Sequence, residues 1–97
     1  MGINEIIGDK RKAILEIAEK HGAFNLRVFG SVARGDARPD SDVDILYDRD
    51  ISRISPFFPG GLLNDLEAIL GRQVHVVSEH AIHSRMKEGI LREATPI

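Results

Sequence analysis

The chain has 97 residues, with 13 basic and 15 acidic side chains and a net charge of −2, and its length predicts one domain over residues 1–97. A protein that binds long nucleic acid usually carries a basic excess, so this balance argues against stand-alone binding of DNA or RNA. Cysteine is absent, which excludes disulfides and thiolate metal sites. No apolar run approaches the roughly 20 residues that cross a bilayer. We therefore expect a cytoplasmic protein.

The first part of the chain is predicted to contain one helix and one strand. Apolar side chains between Ile3 and Ala18 recur at helical spacing, and Gly22 is suited to end this helix. Asp9 is an alternative starting point, because aspartate is a favoured N-cap residue. Residues 26–29 then read as a short strand.

Turn-forming residues separate this strand from the next one. Residues 30–41 are rich in Gly, Ser, Asp and Pro, and they predict a turn with one helical turn inside it. Residues 42–47 have the apolar, β-branched character of a second strand. Residues 48–61 are predicted to form a loop, because Pro56 and Pro59 interrupt the pattern there.

The remaining residues repeat the alternation of helix and strand. A leucine-rich stripe predicts a helix over residues 62–70 that ends at Gly71, and residues 74–77 predict a third strand. A last helix is predicted from about residue 79. The apolar face of that helix, which we expect in the core, contains Ile82, Met86 and Ile90. The element order predicts an α/β fold in which a small three-stranded sheet is flanked by helices.

Gly30 and Ser31 stand where the first strand enters the turn. Backbone N–H groups at such a corner are unpaired, and glycine lets a phosphate approach them closely because it has no Cβ. Ser31 adds a hydroxyl donor, and Arg34 can return a guanidinium to the same phosphate. These three residues are candidates for nucleotide binding. The alternative is a plain strand-to-helix turn in which Ser31 is the N-cap.

Asp42 and Asp44 form a second candidate group. Residues two apart on a strand point to the same face, so Val43 and Ile45 would face the core while the two carboxylates share the other side. Like charges roughly 6–7 Å apart repel by about 1–3 kcal/mol, which a sheet tolerates more readily when a cation lies between them. Mg²⁺ suits this position, because it commonly takes one or two carboxylates together with water and phosphate oxygens. The alternative is a solvent-facing acidic end of a strand.

The combination of the two groups is a more specific indication of function than either group alone. A phosphate-binding corner lies ten residues before a pair of same-face carboxylates, and Arg34 stands between them. Phosphate and metal would then share one cleft, which is the arrangement that phosphoryl-transfer chemistry requires.

This spacing resembles that of a known family. Gly30-Ser31, ten intervening residues and Asp42-Val43-Asp44 resemble the G-S-x₁₀-D-x-D signature of the DNA polymerase β nucleotidyltransferase superfamily. The G-S-x-A-R-G form is similar to the minimal nucleotidyltransferase (MNT) branch, and the resemblance covers nearly the whole chain. It implies an α-β-α-β-α-β core with a mixed sheet, triphosphate binding by Gly30 and Ser31, and a catalytic Mg²⁺ held by Asp42 and Asp44.

The resemblance also implies an activity and a partner. Members of the branch transfer a nucleoside monophosphate, here expected to be AMP from ATP, and many are antitoxins paired with a HEPN-type ribonuclease toxin. The acceptor would be a hydroxyl group on that partner, and the metal would be Mg²⁺, with Mn²⁺ as a substitute. One alternative is a catalytically weak or inactive nucleotide-binding antitoxin that neutralises the toxin by contact. A weaker alternative is a subunit that acts on a small molecule.

His75 is a departure from the family pattern. The superfamily commonly places a third carboxylate on the strand after the 62–70 helix, where this chain has Val74-His75-Val76-Val77. Imidazole is a poor ligand for Mg²⁺ and a better one for softer metals. A neutral His75 could instead act as a general base, since its reference pKa is about 6.5. The other interpretation is a site that binds nucleotide but turns over slowly or not at all.

Overall fold

A four-stranded mixed sheet lies at the centre of the computed structural model, which describes residues 1–97. The strands are β1 (Ala23–Phe29), β2 (Val43–Arg49), β3 (Val74–Ser78) and β4 (Thr95–Pro96), in the spatial order β3-β2-β1-β4. β1 pairs antiparallel with β2 and β4, whereas β2 and β3 are parallel. The predicted α/β class and mixed sheet are confirmed.

The fourth strand corrects the prediction of a three-stranded sheet. β4 has only two residues, and it is held to β1 by pairing and by the Ile97 N–H, which donates to the Leu26 carbonyl at 3.1 Å. A segment this short, with a proline in it, carries no alternation of apolar and polar residues. Its strand conformation therefore depends on where the preceding helix ends.

Five helices and two short 3₁₀ turns connect the strands. The helices are α1 (Ile3–Ile6), α2 (Arg11–Lys20), α3 (Gly30–Arg34), α4 (Gly60–Leu70) and α5 (Ser84–Glu93). The 3₁₀ turns span Gly8–Lys10 and Glu79–Ala81. None of the helices combines the length and the apolar character that crossing a membrane requires.

The amino-terminal helix is interrupted, contrary to the prediction of one continuous helix. Gly8 has a φ of +42°, a left-handed conformation that ends α1 and redirects the chain into a 3₁₀ turn. Asp9 lies within that turn and does not cap α2, which has no side-chain cap. The apolar spacing survives the break, because Ile7 and Ile14 both lie in the core.

The core fills the space between one face of the sheet and helices α2 and α4. Val43 and Ile45 point into it, as the alternation on the second strand predicts, and both side chains are fully buried. Each such aliphatic side chain contributes about 1.5–3 kcal/mol to folding. The helices contribute Ile14, Ala18, Leu62 and Leu66 to the same cluster. The other face of the sheet carries Asp44 and His75 together with apolar side chains such as Leu46, which is also fully buried.

Helix α5 packs across that other face and buries none of its own residues. The expectation that its apolar stripe lies in the core is wrong: Ile82, which precedes the helix, and Ile90 are half-buried, and Met86 is 60% exposed. A partly buried ion pair anchors the chain just before the helix. Arg27 on β1, only 11% exposed, donates to Glu79 at 2.8 Å and lies 3.5 Å from Asp48.

Candidate active site

The sheet register places Asp44 beside His75 and next to the end of β1. Phe29 at the end of β1 pairs with Asp44 on β2, and Asp44 pairs with His75 on β3. Neighbouring residues in a ladder project from the same face, so Asp44 and His75 share the face opposite the core. Gly30, the residue after Phe29, therefore begins the turn directly beside Asp44.

Gly30 and the Asp44 carboxylate are in close contact. Gly30 has a φ of +74°, and a Cβ at this position would overlap Oδ2 of Asp44. Glycine is thus required twice, once for the left-handed backbone and once for the space that the carboxylate occupies. The carboxylate of Asp44 consequently points towards the Gly-Ser corner.

Ser31 lies in the first turn of α3, but it does not cap that helix. The N-cap position is Phe29, whose side chain makes no capping hydrogen bond. The alternative in which Ser31 is an ordinary N-cap is therefore wrong. The Ser31 carbonyl accepts a hydrogen bond from the Asp36 amide at 3.0 Å, so the turn holds the residue in place through its backbone.

Asp42 lies one residue before β2, which corrects the prediction that both aspartates belong to the strand. Its Oδ2 atom is 3.0 Å from Nε2 of His75, and both side chains are accessible, at 39% and 53% exposure. The aspartate pair therefore shares the outer face with His75, which stands where the resemblance predicts a third carboxylate. The distance identifies the partner of His75, which the sequence did not reveal.

Burial raises the pKa of the Asp44 carboxyl above its usual value. The negative charges of Asp42 and Glu93 act in the same direction, whereas His75 and Arg34 lower it. The negative charge of Asp44 is thus only partly offset by its charged neighbours. A carboxyl with a perturbed pKa in such surroundings is a common feature of functional sites.

Glu93 is a participant that sequence reasoning missed. The Gly30 amide donates to its Oε1 atom at 2.8 Å, and Nη1 of Arg34 donates to Oε2 at 3.1 Å and to Oε1 at 3.4 Å. Together with Asp36, this carboxylate raises the pKa of the Arg34 guanidinium. Glu93 lies 63 residues from Gly30 along the chain, and no local pattern links the two.

The residues present fit a divalent metal held by two carboxylates. Asp42 and Asp44 share one face, and burial, with a further contribution from the negative charge of Asp42, raises the pKa of the Asp44 carboxyl. A cation bound between the two carboxylates would oppose both effects. No set of three His, Asp or Glu side chains converges as metal ligands within the chain. This donor set suits Mg²⁺, which completes its octahedron with water and substrate phosphates.

A groove of about 330 Å³ extends from Asp44 and His75 beneath α5. Its walls are mostly apolar, and they include Phe29, Val77, Ile82, Met86 and Ile90. The apolar stripe of Ile82, Met86 and Ile90, which was expected in the core, therefore lines an open groove. One end of this groove is formed by Asp44 and His75. A ligand that reaches Asp44 from this side passes along apolar side chains.

Replacing Asp44 by asparagine is expected to raise the melting temperature by a few degrees at pH 7 in the absence of metal. Because folding raises the pKa of this carboxyl from an ordinary value near 3.8, stability falls as pH rises through the interval between the two values. The variant removes this penalty, so its advantage should shrink below about pH 4. Thermal unfolding in EDTA at several pH values measures the difference. A variant that melts below the wild type at pH 7 would contradict the prediction.

The sequence matches an established family. The model of the nucleotidyltransferase domain matches residues 10–97. Protein adenylyltransferase MntA of Thermococcus cleftensis is 40% identical over 79 residues, which cover 80% of this chain and 78% of that protein. A Methanocaldococcus jannaschii protein, MJ0435, which bears a protein adenylyltransferase name, is 39% identical over 104 aligned positions covering 100% of this chain and 99% of the relative.

Solved structures share the fold. A structure described as a minimal nucleotidyltransferase is 42% identical and matches with a TM-score of 0.84, covering 100% of this chain and 97% of that one. A toxin–antitoxin structure with AMP-PNP matches with a TM-score of 0.73, covering 91% of this chain and 71% of that one. The identity in the second case is 17%, so that likeness concerns the fold alone.

Proposed function

Because the chain belongs to the nucleotidyltransferase domain family, we propose that it transfers AMP from ATP, with Mg²⁺, to a hydroxyl group on a partner protein. Nucleotidyl transfer itself follows from the family and from relatives named protein adenylyltransferase. The observation that carries the proposal is the contact between the Asp44 carboxylate and Gly30, since it unites a carboxylate with the corner proposed for phosphate.

The phosphates of the nucleotide would be bound by three residues of the corner. The Gly30 amide and the Ser31 hydroxyl donate hydrogen bonds, and the Arg34 guanidinium supplies positive charge. Asp42 and Asp44 would hold the metal beside them. The chemistry that the ion supplies when bound is charge neutralisation on the phosphates and alignment of the reacting groups.

The acceptor hydroxyl would attack the α-phosphate, and pyrophosphate would leave. A proton acceptor is required at that hydroxyl, and His75 is close enough to the aspartates to serve. A neutral His75 that donates from Nε2 to Asp42 keeps its Nδ1 lone pair free for a proton. The apolar groove beneath α5 gives the acceptor an approach to Asp44.

The proposed partner is a HEPN-type toxin, and this protein would be the antitoxin. Relatives of 39% and 40% identity are named protein adenylyltransferases, which supports a protein acceptor. A solved neighbour of the same fold is a toxin–antitoxin structure with AMP-PNP.

A second candidate function is neutralisation of the toxin by contact, with a nucleotide site that turns over little. The observation that favours it is the His75–Asp42 contact of 3.0 Å, because it places an imidazole on a proposed metal ligand. In that case nucleotide binding would persist without transfer.

A mass-spectrometric assay separates these two functions. The protein is incubated with the product of the neighbouring gene, ATP and Mg²⁺, and the partner is examined for the added mass of one AMP. Enzymatic transfer predicts the addition, and omission of Mg²⁺ should prevent it. A stable complex without added mass would favour neutralisation by contact. If the partner gains no mass and forms no complex with this protein, both functions are contradicted.

Replacing His75 by aspartate is expected to raise the affinity for Mg²⁺ about tenfold or more, because a third carboxylate joins Asp42 and Asp44. Titration of the ATP-bound protein with Mg²⁺ measures the change. His80→Asp is the matched control, since His80 is exposed and does not line the groove that contains Asp44 and His75.

The rate of transfer by the same variant assigns the role of His75. A faster reaction would identify the histidine as a replaced metal ligand, whereas a slower reaction despite tighter metal binding would identify it as the proton acceptor. Unchanged Mg²⁺ affinity would contradict the placement of the metal.

A further inference from the structure

Glu93 accepts hydrogen bonds from the same two groups that the proposed function assigns to phosphate binding. Its carboxylate accepts the Gly30 N–H at 2.8 Å and the Arg34 guanidinium at 3.1 Å. The side chain is 30% exposed, and it is the last residue of α5. An anion is therefore already bound at this corner, and it belongs to the protein itself.

A carboxylate and a phosphate make the same kind of contact here. Both are anions that accept charge-assisted hydrogen bonds from backbone amides and from arginine. The Gly30 amide has a single hydrogen, so it cannot donate fully to Glu93 and to a phosphate oxygen together. A phosphate bound at Arg34 would also lie next to the negative charge of Glu93, with Asp42 and Asp44 close by.

We propose that Glu93 is an internal competitor for the phosphate of the nucleotide and sets the affinity of the site. It must leave Gly30 and Arg34 when the triphosphate binds. The inference rests on the proposed function, because it takes Gly30 and Arg34 as phosphate donors. Each nucleotide-binding event then breaks charge-assisted bonds within the protein, which lowers the apparent affinity.

Displacement of Glu93 has a structural consequence for the end of the chain. Ala94 connects Glu93 directly to β4, which pairs with β1 over two residues only, and α5 has no buried residue to hold it. The Glu93 contacts fix this segment together with the packing of Ile97 against the core. When a phosphate takes the place of the Glu93 contacts, the Ile97–Leu26 hydrogen bond loses one of its supports, and nucleotide binding is coupled to loosening of β4.

Calorimetric titration of Glu93→Gln with inorganic tripolyphosphate and Mg²⁺ tests the competition. Loss of one charge-assisted interaction with the protein's own carboxylate is expected to raise the affinity about tenfold. The matched control is Glu88→Gln, which removes the same charge from the same helix at a side chain that is 83% exposed and pairs only with Arg92. The control should bind as the wild type does.

Hydrogen exchange at the Ile97 amide provides the second measurement. In the wild type, saturation with Mg²⁺–ATP is expected to accelerate this exchange several-fold. In Glu93→Gln the exchange should already be fast before nucleotide is added. Circular dichroism of each variant shows whether α5 remains folded, so that a change in affinity is not mistaken for unfolding.

The outcomes separate this inference from the proposed function. Equal or weaker tripolyphosphate binding by a folded Glu93→Gln, with the wild type binding, overturns the competition but leaves the proposed function standing. Tighter binding without any transfer to a partner supports the competition and contradicts the enzymatic proposal. Binding by neither protein overturns both, because Gly30 and Arg34 would then not be phosphate donors.

Discussion

Replacing Asp44 by asparagine is expected to lower the rate of nucleotidyl transfer about 10³-fold or more without unfolding the protein. Metal-ion catalysis supplies several kcal/mol of transition-state stabilisation, and each 1.36 kcal/mol is a factor of about ten in rate. Asparagine keeps the shape of the side chain beside Gly30, but it removes the charge that would hold the ion. Single-turnover transfer to the partner, with ATP and Mg²⁺ saturating, measures the loss.

Two comparisons make the Asp44 result specific. Asp42→Asn should cause a loss of similar order, since Asp42 is the second proposed ligand. Asp40→Asn should retain the wild-type rate, because this exposed aspartate lies outside the carboxylate pair. A raised melting temperature together with the lost activity would show that the charge is kept at the expense of stability. Full activity of Asp44→Asn would exclude this residue as a metal ligand.

Replacing Gly30 by alanine is expected to lower transfer at least 10²-fold and also to destabilise the protein. The left-handed backbone costs an L-residue about 1–2 kcal/mol, and the new methyl group would overlap Oδ2 of Asp44. The carboxylate or the corner must then move. Displacement of a reacting group by about 1 Å can cost roughly 10²-fold in rate. Thermal unfolding and single-turnover transfer are measured on the same preparation.

Gly35→Ala separates backbone strain from the steric clash. Gly35 has a φ of +84°, but a Cβ there would meet nothing within 4 Å. This variant should lose about as much stability from strain as Gly30→Ala, yet it should keep most of its activity. Equal losses of activity in the two variants would mean that the contact with Asp44 is not what makes Gly30 necessary.

Local patterns predicted most of the architecture correctly. The leucine stripe predicted a helix over residues 62–70, and the helix is observed two residues longer, from Gly60 to Leu70, with Gly71 ending it in a left-handed conformation at a φ of +66°. The alternation on β2 correctly placed Val43 and Ile45 in the core. These features are predictable because helical and strand periods are set by backbone geometry within a few residues.

The errors concern segments whose surroundings decide their structure. Spacing predicted that Met86 lies in the core, but α5 packs over a groove and leaves that side chain 60% exposed. An amphipathic period shows that a helix has an apolar face, but it does not show how closely another layer covers that face. The break at Gly8 was missed for a related reason, since a tolerated helical glycine and a left-handed one look alike in sequence.

The sequence by itself determined the family, the Gly-Ser corner and the aspartate pair, because these depend on residue type at fixed short spacing. Only the tertiary structure decided that His75 contacts Asp42 and that Glu93 lies on Gly30 and Arg34. Those contacts join residues that are 33 to 63 positions apart. The physical reason is that strand register and helix packing bring such residues together, and neither is encoded in any short stretch of chain.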